Sequence, residues 1–262
     1  MSAIILESSL VHYEALGRGR PLLFLHDWLG SWRYWVPTMI DMSASNRTYA
    51  LDFWGFGDSD KVSARYSVPS YVQQVELFMD QMGIGRLPII GHGLGAVVAV
   101  HFALAQPDRV EQIMAISMPL YPEQIGRPLS GFAGGENPAK TILGRRLRDY
   151  EEVDIEAAKS DGEAVVRSVR SVMSQDLLGV LFDVELPVLL VSGQDDPLIQ
   201  VPDEEVLSAL SSNIHALVFA GSQHYPMLDE ASKFNRVLRD FLAHKDDWDK
   251  IRPKDEWKRR MR

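Results

Sequence analysis

The residues best suited to chemistry in this chain stand in five short loops. The first two are His26-Asp27-Trp28-Leu29-Gly30 and Asp52-Phe53-Trp54-Gly55-Phe56-Gly57-Asp58-Ser59. Gly91-His92-Gly93-Leu94-Gly95 follows, then Gly193-Gln194-Asp195-Asp196-Pro197, and last Gly221-Ser222-Gln223-His224. A histidine and an aspartate brought together can fix a tautomer and pass a proton to a substrate or to water. The chain has no cysteine, so thiolate nucleophiles, disulfides and cysteine-bound zinc are all excluded. No His/Asp/Glu group has metal-ligand spacing, and the glycines around Gly91 lack the spacing and acidic partner of a dinucleotide fingerprint. No cofactor is expected.

The elements that must hold these loops alternate between strand and helix. Apolar runs at Val11–Ala15, Leu22–Leu25, Tyr49–Phe53, Pro88–Gly91, Val110–Ser117, Val188–Ser192 and Leu217–Phe219 predict strands. Helices are predicted over Ser31–Met42, Val68–Met82, Leu94–Gln106 and Phe234–Leu242; the second repeats Val68, Val72, Val75, Phe78 and Met82 and stops at Gly83. Short buried strands between helices predict an α/β fold, a mostly parallel twisted sheet with helices on both faces. Each loop then falls at the C-terminal end of a strand, where open α/β sheets place ligands.

Residues 120–186 interrupt the rhythm with a Gly/Pro-rich stretch and helical, charge-rich sequence, predicting a small helical lid inserted into a core of 1–119 and 187–243. Residues 244–262 form a charged tail ending in Lys258-Arg259-Arg260-Met261-Arg262; it is expected to be solvated or weakly docked, with Trp248 and Trp257 available to a partner or neighbouring subunit. The 262 residues carry 27 Lys and Arg against 36 Asp and Glu, a net charge of −9, which argues against nucleic acid as a partner. No leader peptide or membrane span is visible, so a cytoplasmic monomer or homodimer is expected.

Taken in order, the five loops resemble those of the α/β-hydrolase family, over roughly residues 11–242. In that family the turn around residue 93 reads Gly-x-Ser-x-Gly and its serine is the nucleophile. Here the central residue is Gly93, so the resemblance implies an elbow without a nucleophile. It also implies that Asp196 (or Asp195) is the acid, His224 the base, and the backbone N–H groups of Trp28 and Leu94 the oxyanion hole. The Asp196–His224 pair either only braces the pocket or still moves protons. The family usually has glycine at position 27; Asp27 either opposes developing negative charge or turns away and caps a helix beginning near Ser31.

The resemblance therefore implies a non-hydrolytic or inactive member; a dyad enzyme without covalent catalysis and an esterase stripped of its serine are the alternatives. Trp28, Trp32, Tyr34, Trp35, Phe53, Trp54 and Phe56 crowd two of the loops and suggest a small apolar or aromatic ligand. His26, Asp27, Trp54 and His92 are candidate binding residues, although His92 and His101 also fit purely structural roles. Ser117 has no base placed beside it. Gly93→Ser is expected to cost about 1–2 kcal/mol through backbone strain, and His224→Ala to leave the fold intact, as for an exposed pocket histidine.

Overall fold

The computed structural model describes residues 2–251. Eight strands form one sheet: β1 (Ser2–Leu6), β2 (Ser9–Leu16), β3 (Arg20–Leu25), β4 (Asn46–Leu51), β5 (Leu87–His92), β6 (Val110–Ile116), β7 (Val188–Gly193) and β8 (Ile214–Phe219). Their spatial order is β1-β2-β4-β3-β5-β6-β7-β8. β1 pairs antiparallel with β2, and β2 antiparallel with β4; every other pair is parallel. All six residues of the central β5 are buried, as a strand covered by helices on both faces requires.

β1 is a strand that the sequence pattern did not reveal. Glu7 and Ser8 make the β1–β2 turn at φ 45° and 64°, without the glycine or asparagine that usually marks such a hairpin. The helix expected over Ser31–Met42 divides: a 3-10 turn spans Trp32–Trp35 and α1 spans Val36–Met42. Pro37 in the first turn of α1 has no N–H for the ladder of a longer helix. The other expected helices are present as α2 (Val68–Gln81), α3 (Leu94–Ala105) and, at the end, Ala231–His244. Ser67 caps α2 by accepting the Ser70 N–H at 3.4 Å, with Pro69 in the first turn.

Between β6 and β7 the described residues contain helices and no named strand. The longest is α4 (Gly162–Met173), capped by Asp161, which accepts the Glu163 N–H at 2.9 Å. α4 packs against α2 and α3. The Asp161 N–H donates to the Gly55 carbonyl at 2.8 Å, and Tyr66 Oη donates to Asp161 Oδ2 at 2.8 Å, fastening this segment to the second loop. The final helix is α5 (Ala231–His244).

Trp248 stacks on His215 at 5.1 Å and donates its Nε1–H to the Ser212 carbonyl at 3.0 Å, so the start of the charged tail docks on its own chain. Pro253, Trp257 and the basic end lie outside the described residues. Among those described, no helix is long and apolar enough to cross a membrane.

Candidate functional site

Strand ends bring the sequence-selected residues together. His26 and Asp27 follow β3, Gly93 follows β5, Ser117 follows β6, and the loops after β7 and β8 carry Asp196 and His224. Gly93 sits between β5 and α3 at φ 49°, a region that favours glycine. At Gly95 a Cβ would strike the Leu25 and His26 carbonyls, so a glycine there lets α3 press against the end of β3.

A Cβ on Gly93 would fall inside the Asp27 carboxyl group. That carboxyl occupies the turn: Oδ1 accepts the Leu94 N–H at 3.1 Å, and Oδ2 accepts His224 Nε2–H at 2.9 Å. On the other side of the ring, His224 Nδ1–H donates to Asp196 at 2.9–3.0 Å. Asp196 also accepts the N–H groups of Leu198 and Ile199 at 2.8 and 3.0 Å, and the hydroxyl of Ser117 at 2.8 Å. The result is carboxylate–imidazole–carboxylate, with Asp27 wholly buried and His224 1% exposed.

The capping role considered for Asp27 is therefore absent. Ser31 serves that turn instead, its hydroxyl accepting the Arg33 N–H at 3.3 Å. His224 is equally far from the exposed pocket histidine expected: it is buried and ion-paired on both nitrogens. Asp195 makes no contact of this kind, and the fourth loop contributes Asp196 alone to the array.

Burial alone would strip His224 of its proton, but Asp196 and Asp27 outweigh it and push the imidazole up to about 10. Burial would also raise both carboxyls; the His224 charge holds each below its ordinary range, helped at Asp27 by the Trp28 N–H. The resting array is two carboxylates around one imidazolium.

A second layer supports it. Asp27 N–H donates to Tyr34 Oη at 2.8 Å, Tyr34 Oη–H donates to His92 Nδ1 at 3.0 Å, and His92 Nε2–H donates to the His224 carbonyl at 2.8 Å. His26 Nδ1–H donates to the Asp27 carbonyl at 2.7 Å while Nε2 accepts the Phe53 N–H at 2.9 Å. His26 and His92 are thus bracing groups with both ring nitrogens occupied. His101 is also tied structurally, Nδ1 to the Val97 carbonyl at 2.9 Å.

The aromatics expected to rim a pocket are core residues. Trp28, Tyr34, Trp35, Phe53, Trp54 and Phe56 are all wholly buried, and Trp32 is partly buried against them. They pack on one another and on the sheet, Phe24 against Trp35 and Tyr34 against Trp35 at 5.0 Å, Phe53 against Tyr71 at 4.8 Å. Loop sequence could not distinguish a ring facing a ligand from one folded inward. A hollow of about 940 Å³, lined by Lys61, Ala133, Glu136, Asn137, Asp161 and Val166 among others, shares no residue with the array.

Among the described residues, two clusters have ligand atoms close enough for a metal ion: Asp27, His92 and His224, and His12, Asp52 and Asp58. In the first, every imidazole nitrogen already serves a hydrogen bond within the fold. In the second, Asp52 is held by His12 Nδ1 at 2.8 Å and by the N–H groups of Trp32 and Asp58. Both clusters fit structural roles better than a cation.

Sequence reasoning missed three participants: Asp27 as a member of the array, Ser117 on Asp196, and Tyr225, whose ring packs edge-on against His224 at 5.1 Å and whose hydroxyl donates to the Leu29 carbonyl at 3.0 Å. The available signal was paired: an acid at 27 and a missing side chain at 93.

Residues 20–135 match the family described as the alpha/beta hydrolase fold. A 2-(acetamidomethylene)succinate hydrolase of Mesorhizobium japonicum is 26% identical over 80% of this chain and 83% of its own length. A putative carbamate hydrolase of Stutzerimonas stutzeri is 25% identical over 89% and 97%, and a soluble epoxide hydrolase of a Corynebacterium species 31% identical over 41% and 38%. Among solved structures, an enol-lactonase from Burkholderia xenovorans superposes with a TM-score of 0.79 at 18% identity, covering 93% of this chain and all of that one. The chain is therefore an α/β-hydrolase-fold protein.

Proposed function

We propose that the chain is a serine-free member of its fold, in which Gly93 stands at the nucleophile position, Asp196 and His224 stand for the acid and base, and the N–H groups of Trp28 and Leu94 form the oxyanion hole. One observation carries this: the Asp27 carboxyl lies where a side chain on Gly93 would lie, between the Leu94 N–H and His224 Nε2. An acyl-serine step then lacks its oxygen, and the donors that would receive a growing oxyanion already hold an anion. Loss of a triad serine costs on the order of a million-fold in turnover. Simple ester hydrolysis is not the activity of this protein.

The relatives named as hydrolases favour a small organic molecule as the substrate or ligand. In this reading residues 120–186 act as a lid over the array, and 1–119 with 187–243 as the core. A second reading is supported by the complete burial of Asp27 and near-complete burial of His224 and Asp196: a sealed ion triad that only stabilises a binding protein.

The test is p-nitrophenyl butyrate hydrolysis by the chain, by Gly93→Ser, and by the double variant Asp27→Gly/Gly93→Ser. The chain is expected to be inert. Gly93→Ser is expected to stay inert because Asp27 blocks the new side chain, and the double variant to turn over. Efficient hydrolysis by the unmodified chain would overturn the serine-free reading, and activity of Gly93→Ser alone would show that Asp27 is no obstacle.

A further inference from the structure

The hollow of about 940 Å³ lies where the segment between β6 and β7 meets the core. Its walls are the 133–137 loop, the start of α4, and Lys61, which stands just past the second of the five loops. The loop is pressed onto the helix: a Cβ on Gly162, the first residue of α4, would strike the Gly135 carbonyl. Gly134 and Gly135 themselves take φ 102° and 124°, which favour glycine.

Four ionic side chains line this space: Lys61, Glu136, Asp161 and Glu163. Two of them are engaged within the fold. Asp161 accepts the Glu163 N–H at 2.9 Å and the Tyr66 hydroxyl at 2.8 Å, and Glu163 pairs with Arg167 at 3.2 Å. The other two, Lys61 from the core and Glu136 from the 133–137 loop, join no ion pair among the described residues, with each other or with anything else. Ser160 lines the same hollow and is only 8% exposed, yet its hydroxyl has no hydrogen-bond partner among the described residues. A polar group buried to that degree ordinarily has one. Ala133, Ala158 and Val166 supply apolar wall.

We propose that this hollow binds a short linear zwitterion, a chain of methylenes with an ammonium at one end and a carboxylate at the other. Lys61 takes the carboxylate, Glu136 takes the ammonium, Ser160 supplies a further hydrogen bond, and the methylenes lie on the apolar wall. Charge selects this class. A simple cation leaves Lys61 without a counter-ion, and a simple anion meets Glu136, Asp161 and Glu163. Because Lys61 and Glu136 do not pair with each other, the two charges of the ligand must stand apart, which favours an ω-amino acid over an α-amino acid. Both side chains are exposed, so water screens each pair and affinity in the millimolar range is expected. The site shares no residue with the Asp27–His224–Asp196 array, and the proposal does not rest on the serine-free reading.

The experiment titrates the full chain calorimetrically with ε-aminocaproate, n-hexylamine and caproate, and follows the melting temperature with each, since a ligand of the folded state raises it. The zwitterion should bind at least about threefold more tightly than either singly charged probe. Lys61→Met should bring ε-aminocaproate down to the level of n-hexylamine, and Glu136→Gln down to the level of caproate. Both substitutions are on exposed side chains and should leave the melting temperature of the free protein unchanged. Ser160→Ala should weaken ε-aminocaproate without abolishing its advantage over the other two. Equal binding of the zwitterion and either singly charged probe would overturn the ligand class, because the hollow would then read one charge only. Unchanged affinity in both charge variants would overturn the site. Absence of heat and of any melting shift with all three probes at millimolar concentration would overturn the proposal altogether. None of these outcomes bears on the serine-free reading, whose readout is ester hydrolysis.

Discussion

His92 and His224 lie with their ring centroids 4.6 Å apart in the same buried layer, yet they hold opposite charge states. Burial and the neighbouring imidazolium drive His92 down to about 3, whereas two carboxylates carry His224 up to about 10 against the same burial. The surroundings differ only in what each nitrogen meets: a hydroxyl and a carbonyl for His92, two carboxylates for His224. Burial sets the cost of charge in this site, and the placement of Asp27 and Asp196 decides who bears it. Asp196 is the larger of the two influences on His224 and Asp27 the second.

The largest way to break that contrast is Asp27→Ala. It removes one partner of a buried ion array and leaves the Leu94 N–H unsatisfied, which should cost about 3–5 kcal/mol in urea unfolding at neutral pH. NMR titration of any folded fraction should show the His224 imidazole returning toward its ordinary range. A loss below about 1 kcal/mol would mean that the array contributes little. Next comes Gly93→Ala, expected to cost roughly 2–4 kcal/mol, because the new methyl collides with the Asp27 carboxyl and the turn has positive φ. Combined with Asp27→Gly, the collision disappears, so the two losses should fall well short of adding. Strict additivity would show that residues 27 and 93 do not share one space.

That dependence was only half legible in the sequence. The alternation of apolar runs and helical spacing located β2 to β8 and α2, α3 and α5, since parallel buried strands and amphipathic helices leave periodic traces. β1 escaped because Glu7 and Ser8 turn the chain without turn-forming residues. Asp196, His224 and Gly93 were legible because each stands at a strand end in a recognisable loop. The role of Asp27 was not, because a carboxylate one residue after His26 has two plausible directions and sequence gives no vector. Nor could it separate buried Trp28 and Trp54 from pocket walls, since both uses place an aromatic beside a loop glycine.

The two histidines also predict the shape of stability against pH. His224 has a folded value near 10 against 6.5 unfolded, so its contribution is complete below about 6.5 and is lost as pH rises toward 10. His92 behaves oppositely: held near 3, it opposes folding increasingly as pH falls from 6.5 toward 3. Asp27 and Asp196, both lowered, add to the loss at the acid end. Melting temperature should therefore peak near pH 6–7 and fall by several degrees on each side. Asp27→Asn should flatten the alkaline limb and leave the His92 part of the acid limb; an unchanged alkaline limb would remove the imidazolium from the resting array.

The smallest expected effect compares two turns on adjacent strands. Gly93 after β5 and Ser117 after β6 share nearly the same positive φ, 49° and 44°, but only one is a glycine. Ser117 bears the strain while its hydroxyl donates to Asp196 Oδ2 at 2.8 Å. Ser117→Ala keeps the strain and loses the bond, and should cost about 1 kcal/mol. Ser117→Gly loses the same bond but relieves the backbone, so it should be more stable than the alanine variant by about 1 kcal/mol. Chemical unfolding of both variants side by side separates the two terms. If alanine and glycine prove equal, strain at the Ser117 turn is negligible.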